Sequence, residues 1–151
     1  MSKPDAQMSL GMNILGFGAH AAAWREGDAS VDAYLDVDYY RNIARISERG
    51  CLDAIFLADG PALGGDVATQ PGARLEPTIL LTAVAAATER IGVIATASSA
   101  YSEPFNLARR IASLDYISGG RAAWNVVTKA ADDAAQNFGL AGAPLHVDRY
   151  G

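Results

Sequence analysis

The run Asp53-Ala-Ile-Phe-Leu-Ala58, followed at once by Asp59-Gly60-Pro61, decides the fold class. Its apolar residues are nearly continuous, which is typical of a strand buried on both faces of a parallel sheet. The Asp-Gly-Pro sequence is a turn signal and ends the strand. Because parallel strands need long crossover connections, usually helices, the flanking sequence should alternate between helical and strand patterns.

Helical and strand patterns do alternate on both sides of that run. Further strands are predicted at 8–16, 91–97 and 121–128, and helices at 37–49, at 78–90 with Pro77 in the first turn, and at 104–118. A short helix or turn is expected at 132–138, and a further helix opens at 145–150. This α/β order fits either a doubly wound parallel sheet or a (β/α)8 TIM-type barrel.

The length of the chain suits half of a barrel. It has 151 residues, whereas a (β/α)8 barrel needs eight strands and about 250 residues. Four strands alone would leave a strand edge unpaired and an apolar inner face exposed, which favours aggregation. We therefore expect a truncated chain, with 1–151 forming the first four βα units of one barrel domain.

Composition and charge exclude several classes of protein. Half of the residues are hydrophobic and 19% are charged, as in a globular protein. The net charge is −5 and the basic residues are scattered, so no nucleic-acid partner is expected. A single cysteine excludes a disulfide framework and a cysteine-based zinc site. With a polar N-terminus and no apolar stretch of membrane-spanning length, we expect a soluble cytoplasmic protein.

Polar residues follow three of the predicted strands, where both architectures bind ligands. Asp59 could accept hydrogen bonds from a ligand or position a water, although Asp-Gly is also an ordinary turn. Thr96, near Ser98 and Ser99, offers a small hydroxyl that lets a planar ligand approach, although small residues also simply fill barrel interiors. Asn125 offers an amide donor and acceptor at the end of the fourth strand.

Two histidines lie outside the strands. On a helix, His146 and Tyr150 would share one face and could reach a single anionic group, although a histidine in such a position is also commonly solvated. His20 fits a substrate pocket and a surface loop equally well. The sequence contains no Walker loop, complete dinucleotide fingerprint, serine elbow or metal-ligand cluster. These residues alone predict half of an α/β enzyme fold with an unidentified ligand.

Short motifs in a fixed order resemble those of a known family. They are Ala23-Trp24-Arg25, Glu48-Arg49-Gly50, Phe56-Leu57-Ala58-Asp59-Gly60, Leu75-Glu76-Pro77, Ser118-Gly119-Gly120-Arg121, Trp124-Asn125-Val126-Val127-Thr128, Asn137-Phe138-Gly139 and His146-Val147-Asp148-Arg149-Tyr150. They cover almost the whole chain, and their combination is specific. The sequence resembles the flavin-dependent monooxygenases of the bacterial-luciferase-like superfamily, in the branch of nitrilotriacetate monooxygenase component A and dibenzothiophene-sulfone monooxygenase.

The resemblance implies a (β/α)8 barrel that uses reduced FMN and O2 to oxygenate a small organic substrate. A separate NAD(P)H:flavin reductase would supply the reduced FMN, and the protein would be a homo-oligomer. By position, Asp59 and Thr96 would contact the isoalloxazine ring, Asn125 would line the flavin pocket, and His146 and Tyr150 would contact the ribityl-phosphate side. The resemblance points to no particular catalytic residue and to no metal.

Two alternatives stay open. One is a deazaflavin (F420)-dependent oxidoreductase of the same superfamily, which transfers hydride. The other is a non-catalytic, truncated flavin-binding or self-associating module. Since barrels commonly bind phosphate with loops after their seventh and eighth strands, we expect this chain alone to bind FMN weakly or not at all.

Overall fold

Strands and helices alternate along the chain as the apolar pattern predicts. The computed structural model describes residues 7–16, 18–20, 22–26, 31–63, 74–128 and 131–149. The strands are β1 (Gly11–Asn13), β2 (Ala54–Leu57), β3 (Gly92–Ser98) and β4 (Ala122–Val127). The α-helices are α1 (Val37–Arg49), α2 (Pro77–Ala85), α3 (Pro104–Ser118) and α4 (Asp132–Asn137), and short 3₁₀ turns lie at Ala23–Arg25, Val31–Tyr34 and Val147–Arg149. None of the described helices is long and apolar enough to cross a membrane.

The four strands form one parallel sheet in the order β1-β2-β3-β4. Each strand therefore lies beside the next one in sequence, without the reversal of order that defines a doubly wound sheet. This is the arrangement of four consecutive units of a (β/α)8 barrel. The structure thus decides between the two architectures that the apolar pattern left open.

The hydrophobic core lies between this sheet and the helices α1, α2 and α3. Ile55 and Leu57 of β2 are buried there, while Ala54 and Phe56 are only partly buried. Because successive side chains of a strand point to opposite faces, one face of the sheet packs on the helices. The other face forms the inner surface of the partial barrel, and its residues at the carboxyl ends of the strands are free to form a site.

Local signals in the sequence set the ends of the helices. Asp36 caps α1, because its carboxylate accepts a hydrogen bond from the backbone N–H of Asp38 at 2.9 Å. Proline occupies the first turn of α2 and of α3, where its missing N–H costs nothing. Gly119 ends α3 with a left-handed φ of 69°, a conformation that favours glycine.

The helix predicted at 78–90 ends earlier than expected, at Ala85. Two side chains from neighbouring elements hold the residues that follow it in a turn. Arg121 donates to the backbone carbonyl oxygens of Ala85, Thr88 and Ile91. Glu48 accepts hydrogen bonds from the backbone N–H groups of Glu89, Arg90 and Ile91 at 2.5 to 3.0 Å. Since these contacts satisfy backbone groups that a longer helix would satisfy internally, the turn is stable where the apolar pattern predicts helix.

Two other predicted elements also differ. The strand expected at 8–16 is confined to Gly11–Asn13, and beyond it Ile14 donates one further backbone hydrogen bond to Phe56 of β2 at 3.0 Å. The helix predicted to open at 145–150 is, in the described part, the 3₁₀ turn Val147–Arg149. A few residues of helical spacing cannot nucleate an α-helix without packing, because nucleation fixes several dihedral angles for one hydrogen bond.

Candidate functional site

A cavity of about 390 Å³ opens at the carboxyl ends of β2, β3 and β4. Its polar lining residues are Asp59, Arg74, Thr96, Ser98, Asn125 and Asp133, and the others are small or apolar. Ligands bind at this end of the strands in parallel α/β barrels. The cavity is therefore the candidate binding site.

The register of the sheet places Thr96 directly beside Asn125 in this cavity. Thr96 is buried, with 3% of its surface exposed, and its hydroxyl oxygen accepts a hydrogen bond from the Asn125 side-chain amide at 3.0 Å. A hydroxyl that accepts one hydrogen bond still carries a hydrogen to donate, and an amide carries a carbonyl oxygen that accepts. The pair can therefore offer both a donor and an acceptor to one ligand.

Asp59 follows β2 and is partly buried in the wall of the same cavity. Burial raises the pKa of its carboxyl group above the usual value, and the nearby carboxylate of Glu76 raises that pKa further. A hydrogen bond from the backbone N–H of Gly60 and the guanidinium groups of Arg110 and Arg74 act in the opposite direction. A carboxyl group in such surroundings keeps its proton to a higher pH, and the protonated form is a hydrogen-bond donor.

A second cavity of about 400 Å³ adjoins the first. The two share Asp59, Arg74 and Ser98, together with the turn at 60–62. The far wall of the second cavity carries Tyr101 and Phe138, whose rings stack in parallel with centroids 4.7 Å apart. Asp59 thus lies where the two cavities meet.

Hydrogen bonds fix α4 against the loops around these cavities. The Tyr101 hydroxyl donates to the carbonyl oxygen of Ala131 at 3.2 Å and accepts from the backbone N–H of Ala131 at 3.1 Å. The Asn137 side-chain amide donates to the carbonyl oxygen of Pro61 at 2.9 Å. The loops after β2 and β3 are thereby tied to α4, which gives the cavities a fixed wall.

An ion pair between Glu76 and Arg110 joins α2 to α3 beside the second cavity. Glu76 is also the N-cap of α2, and its Oε2 accepts from the backbone N–H of Ile79 at 2.8 Å and from the Thr78 hydroxyl at 2.6 Å. Arg110 donates in turn to the Thr78 hydroxyl oxygen at 3.0 Å. The sequence did not predict a role for Arg110. A glutamate directly before a proline signals an N-cap, but nothing local shows that an arginine 34 residues later pairs with it.

The structure brings three of the five predicted binding residues into one cavity, namely Asp59, Thr96 and Asn125. His146 is exposed and lines neither of the two cavities, as the described residues define them. Tyr150 lies outside the described residues, so its contact with a ligand stays a prediction. No cluster of three or more His, Cys, Asp or Glu side chains that could hold a metal ion occurs in the part of the chain that the structure describes.

The family model described as "Luciferase-like monooxygenase" matches residues 17–150 of this chain. Nitrilotriacetate monooxygenase component A from Aminobacter aminovorans is 44% identical to this chain over an alignment of 158 positions. The alignment covers 97% of this chain and 35% of that protein.

Solved structures agree with this match. The EDTA monooxygenase from Chelativorans sp. BNC1 superposes with a TM-score of 0.89 at 36% identity, over 96% of this chain and 35% of that one. A riboflavin lyase, solved with modified FMN and its substrate riboflavin, superposes with a TM-score of 0.84 at 36% identity, over 96% of this chain and 35% of that one.

This chain therefore spans about a third of the length of the relatives that it matches. The match to the family model extends over most of the chain, from the loop after β1 to the last 3₁₀ turn. The resemblance that the ordered motifs predict is confirmed: the chain belongs to the luciferase-like monooxygenase family.

Proposed function

We propose that this chain forms the first four βα units of the oxygenase of a two-component system, which uses reduced FMN and O2 to oxygenate a small organic substrate. The observation that carries this proposal is the meeting of Asp59, Thr96 and Asn125 in one cavity at the carboxyl ends of the strands. The riboflavin lyase, a relative whose structure contains a modified FMN, supports a flavin as the ligand.

The residues of the cavity fit the edge of an isoalloxazine ring. Carbonyl and N–H groups alternate along the pyrimidine edge of that ring, and the Thr96 hydroxyl and the Asn125 amide can supply a matching donor and acceptor. The remaining alanine residues of the lining leave room for a flat ring.

When bound, reduced FMN would supply the electrons with which O2 is activated. The residues of this chain would hold the ring in one orientation and shield one side of it from water. Asp59 would hold a proton, or accept a hydrogen bond, at the edge of the ring. His146 and Tyr150 remain our proposed contacts for the ribityl-phosphate side.

We also propose a flavin reductase as the partner protein. The nitrilotriacetate relative is a component A, which supports a second component for this chain as well. Because NAD(P)H, the reductant of such a partner, is available in the cytoplasm, the proposal places the chain there.

Self-association is a further part of the proposal. Among the described residues β1 pairs only with β2, and β4 pairs only with β3. The inner face of the sheet leaves Phe56 and Ile94 partly exposed and Ala123 exposed. Packing against a second copy would bury these apolar residues. Sedimentation velocity should show a defined oligomer, and a lone monomer at all concentrations would contradict the expectation.

Titration with FMN tests the central proposal. The phosphate contacts of a barrel commonly come from later strands, so we expect weak binding, which is best followed by NMR through the side-chain amide signals of Asn125. FMN should shift these signals, and Asp59→Ala should weaken the binding about fivefold, since one hydrogen bond contributes about 1 kcal/mol. Asn106→Ala, on the exposed surface of α3, is the matched control.

The same titration with F420 separates the hydride-transfer alternative. If F420 shifts the Asn125 signals and FMN does not, the monooxygenase proposal is wrong. If neither cofactor shifts them at high concentration, these four βα units by themselves do not hold a flavin.

A further inference from the structure

We propose that Glu76 and Arg110 are a positioning pair, whose opposite charges shift the balance between Asp59 as a hydrogen-bond donor and Asp59 as an acceptor toward the bound ligand. The proposal rests on the proposed function only for the identity of that ligand. It concerns the second cavity and the helices behind it, which the flavin proposal does not use.

The two cavities place Asp59 between two groups of side chains. In the first cavity it shares the wall with Thr96 and Asn125, which face the proposed ring. In the second cavity it shares the wall with Glu76 and Arg110. Asp59 and Arg74 are the titratable residues that line both cavities. A charge placed in the second cavity therefore acts on the first cavity through Asp59.

Glu76 and Arg110 are held in fixed places beside Asp59. Both carboxylate oxygens of Glu76 have partners, one in Arg110 and the other in the Thr78 hydroxyl and the backbone N–H of Ile79. Arg110 also binds the Thr78 hydroxyl oxygen through Nε at 3.3 Å and through Nη2 at 3.0 Å. Such a network of charge-assisted bonds at a helix end leaves little freedom to either side chain.

The two members of the pair act on Asp59 in opposite directions. The carboxylate of Glu76 favours the protonated form of Asp59, and the guanidinium of Arg110 favours the ionised form. Among the described residues, the other charged or titratable groups near Asp59 are Arg74, which also favours ionisation, and Asp133 and Tyr101, which line one cavity each. Burial is the largest influence on the pKa of Asp59 and favours the proton, and the loss of either member of the pair would leave the other to act on that carboxyl group alone.

The charge of Asp59 matters for the ligand that binds in the first cavity. A protonated carboxyl group can donate to a ring carbonyl or nitrogen, whereas a carboxylate can only accept from an N–H group. Reduction of a flavin adds N–H groups to its ring. The balance between the protonated and ionised forms of Asp59, which the pair shifts, therefore affects whether oxidised or reduced flavin binds more tightly.

NMR titration of the side-chain carboxyl carbon of Asp59, in the chain without any cofactor, tests the proposal. Asp59→Asn assigns the signal. Glu76→Gln should move the titration midpoint of Asp59 downward, because Arg110 then acts alone. Arg110→Gln should move it upward, because Glu76 then acts alone, and Arg110→Lys should return it toward that of the unmodified protein. Arg109→Gln is the control, since this neighbouring residue is exposed and lies against the Phe105 ring.

A purely structural role for the pair gives a different pattern. Breaking a clamp between α2 and α3 would admit water to Asp59 from either side, so both single variants would lower the midpoint. A lowered or unchanged midpoint in Arg110→Gln therefore overturns the proposal. If that variant does not fold, the Glu76→Gln/Arg110→Gln double variant makes the same comparison, since its midpoint must lie above that of Glu76→Gln alone.

The outcome is separate from that of the flavin titration. Opposite shifts in the two single variants, with no effect of FMN on the Asn125 signals, would support the positioning pair but not the flavin ligand. FMN-dependent shifts of the Asn125 signals, together with Asp59 midpoints that move equally in the two variants, would support the flavin ligand and refute the positioning pair.

Discussion

Replacing Arg121 with alanine should destabilise the protein by about 3 to 5 kcal/mol, because all five N–H donors of its guanidinium have protein acceptors. Four of these bonds go to the backbone carbonyl oxygens of Ser118, Ile91, Ala85 and Thr88, at 2.6 to 3.1 Å, and the fifth goes to the Thr88 hydroxyl at 3.1 Å. Arg121 thereby ties the turn after α2 to the end of α3 and the start of β4.

The magnitude follows from these contacts. A typical net contribution of about 1 kcal/mol for each hydrogen bond gives about 5 kcal/mol for the five. Ala85, Thr88 and Ile91 are all buried, so their acceptors would lose partners that water replaces poorly. Arg121 as a whole residue is only partly buried, and water entering from its exposed side lowers the expected loss to about 3 kcal/mol. A loss of this size is a large share of the 5 to 15 kcal/mol that a typical domain has in all.

Urea denaturation followed by circular dichroism measures the loss directly. Arg121→Lys should recover only part of the stability, because an ammonium group has three donors on a flexible stem and cannot reproduce the guanidinium fork. Arg109→Ala, which removes an arginine that is exposed on α3, should change the free energy of unfolding by less than about 0.5 kcal/mol. An Arg121→Ala loss below about 1 kcal/mol would refute the reasoning.

Three further changes test other contacts. Three backbone N–H groups, those of Arg90, Ile91 and Glu89, hold the pKa of Glu48 below its usual value. The stabilisation by Glu48 should therefore be present above its unfolded-state pKa and disappear as the pH falls through its lower folded-state pKa. Glu48→Gln should flatten this part of the plot of unfolding free energy, measured with urea, against pH. Tyr101→Phe keeps the ring stack but removes both hydrogen bonds to Ala131. It should lower the free energy of unfolding by about 1 to 2 kcal/mol and speed hydrogen exchange at the Ala131 amide. Unchanged exchange would contradict the role of the hydroxyl. A Cβ atom added by Gly119→Ala would have no atom within 4 Å. Thermal unfolding should therefore show only the cost of placing alanine in a left-handed conformation, a loss of about 1 to 2 kcal/mol in the free energy of unfolding.

Much of the site could be predicted because the strands are parallel. Asp59, Thr96 and Asn125 each lie at or just beyond the point where an apolar run ends, and the carboxyl ends of parallel strands meet at one edge of a sheet. Which strands are neighbours at that edge depends on the strand order, which the structure shows to be β1-β2-β3-β4. The hydrogen bond between Thr96 and Asn125 additionally depends on register, which the apolar runs do not specify.

The contacts that the sequence analysis missed join residues far apart in the chain. Arg110 meets Glu76 across 34 residues, and Arg121 meets Ala85 across 36. Neither partner carries a local signal for the other, because an arginine on a helix or before a strand is usually a solvated side chain. For the same reason α2 was predicted too long: the side chains that stop it come from α1 and from the start of β4.

The sequence by itself determined the alternation of strands and helices, the helix caps and the family, since apolar period and short motifs are local properties of the chain. Only the tertiary structure decided the strand order that makes this part of a barrel, the junction of two cavities at Asp59, and the pairing of Glu76 with Arg110. These features depend on which elements pack against one another. That choice is made by burial and hydrogen bonding summed over the whole fold, which no single stretch of the sequence contains.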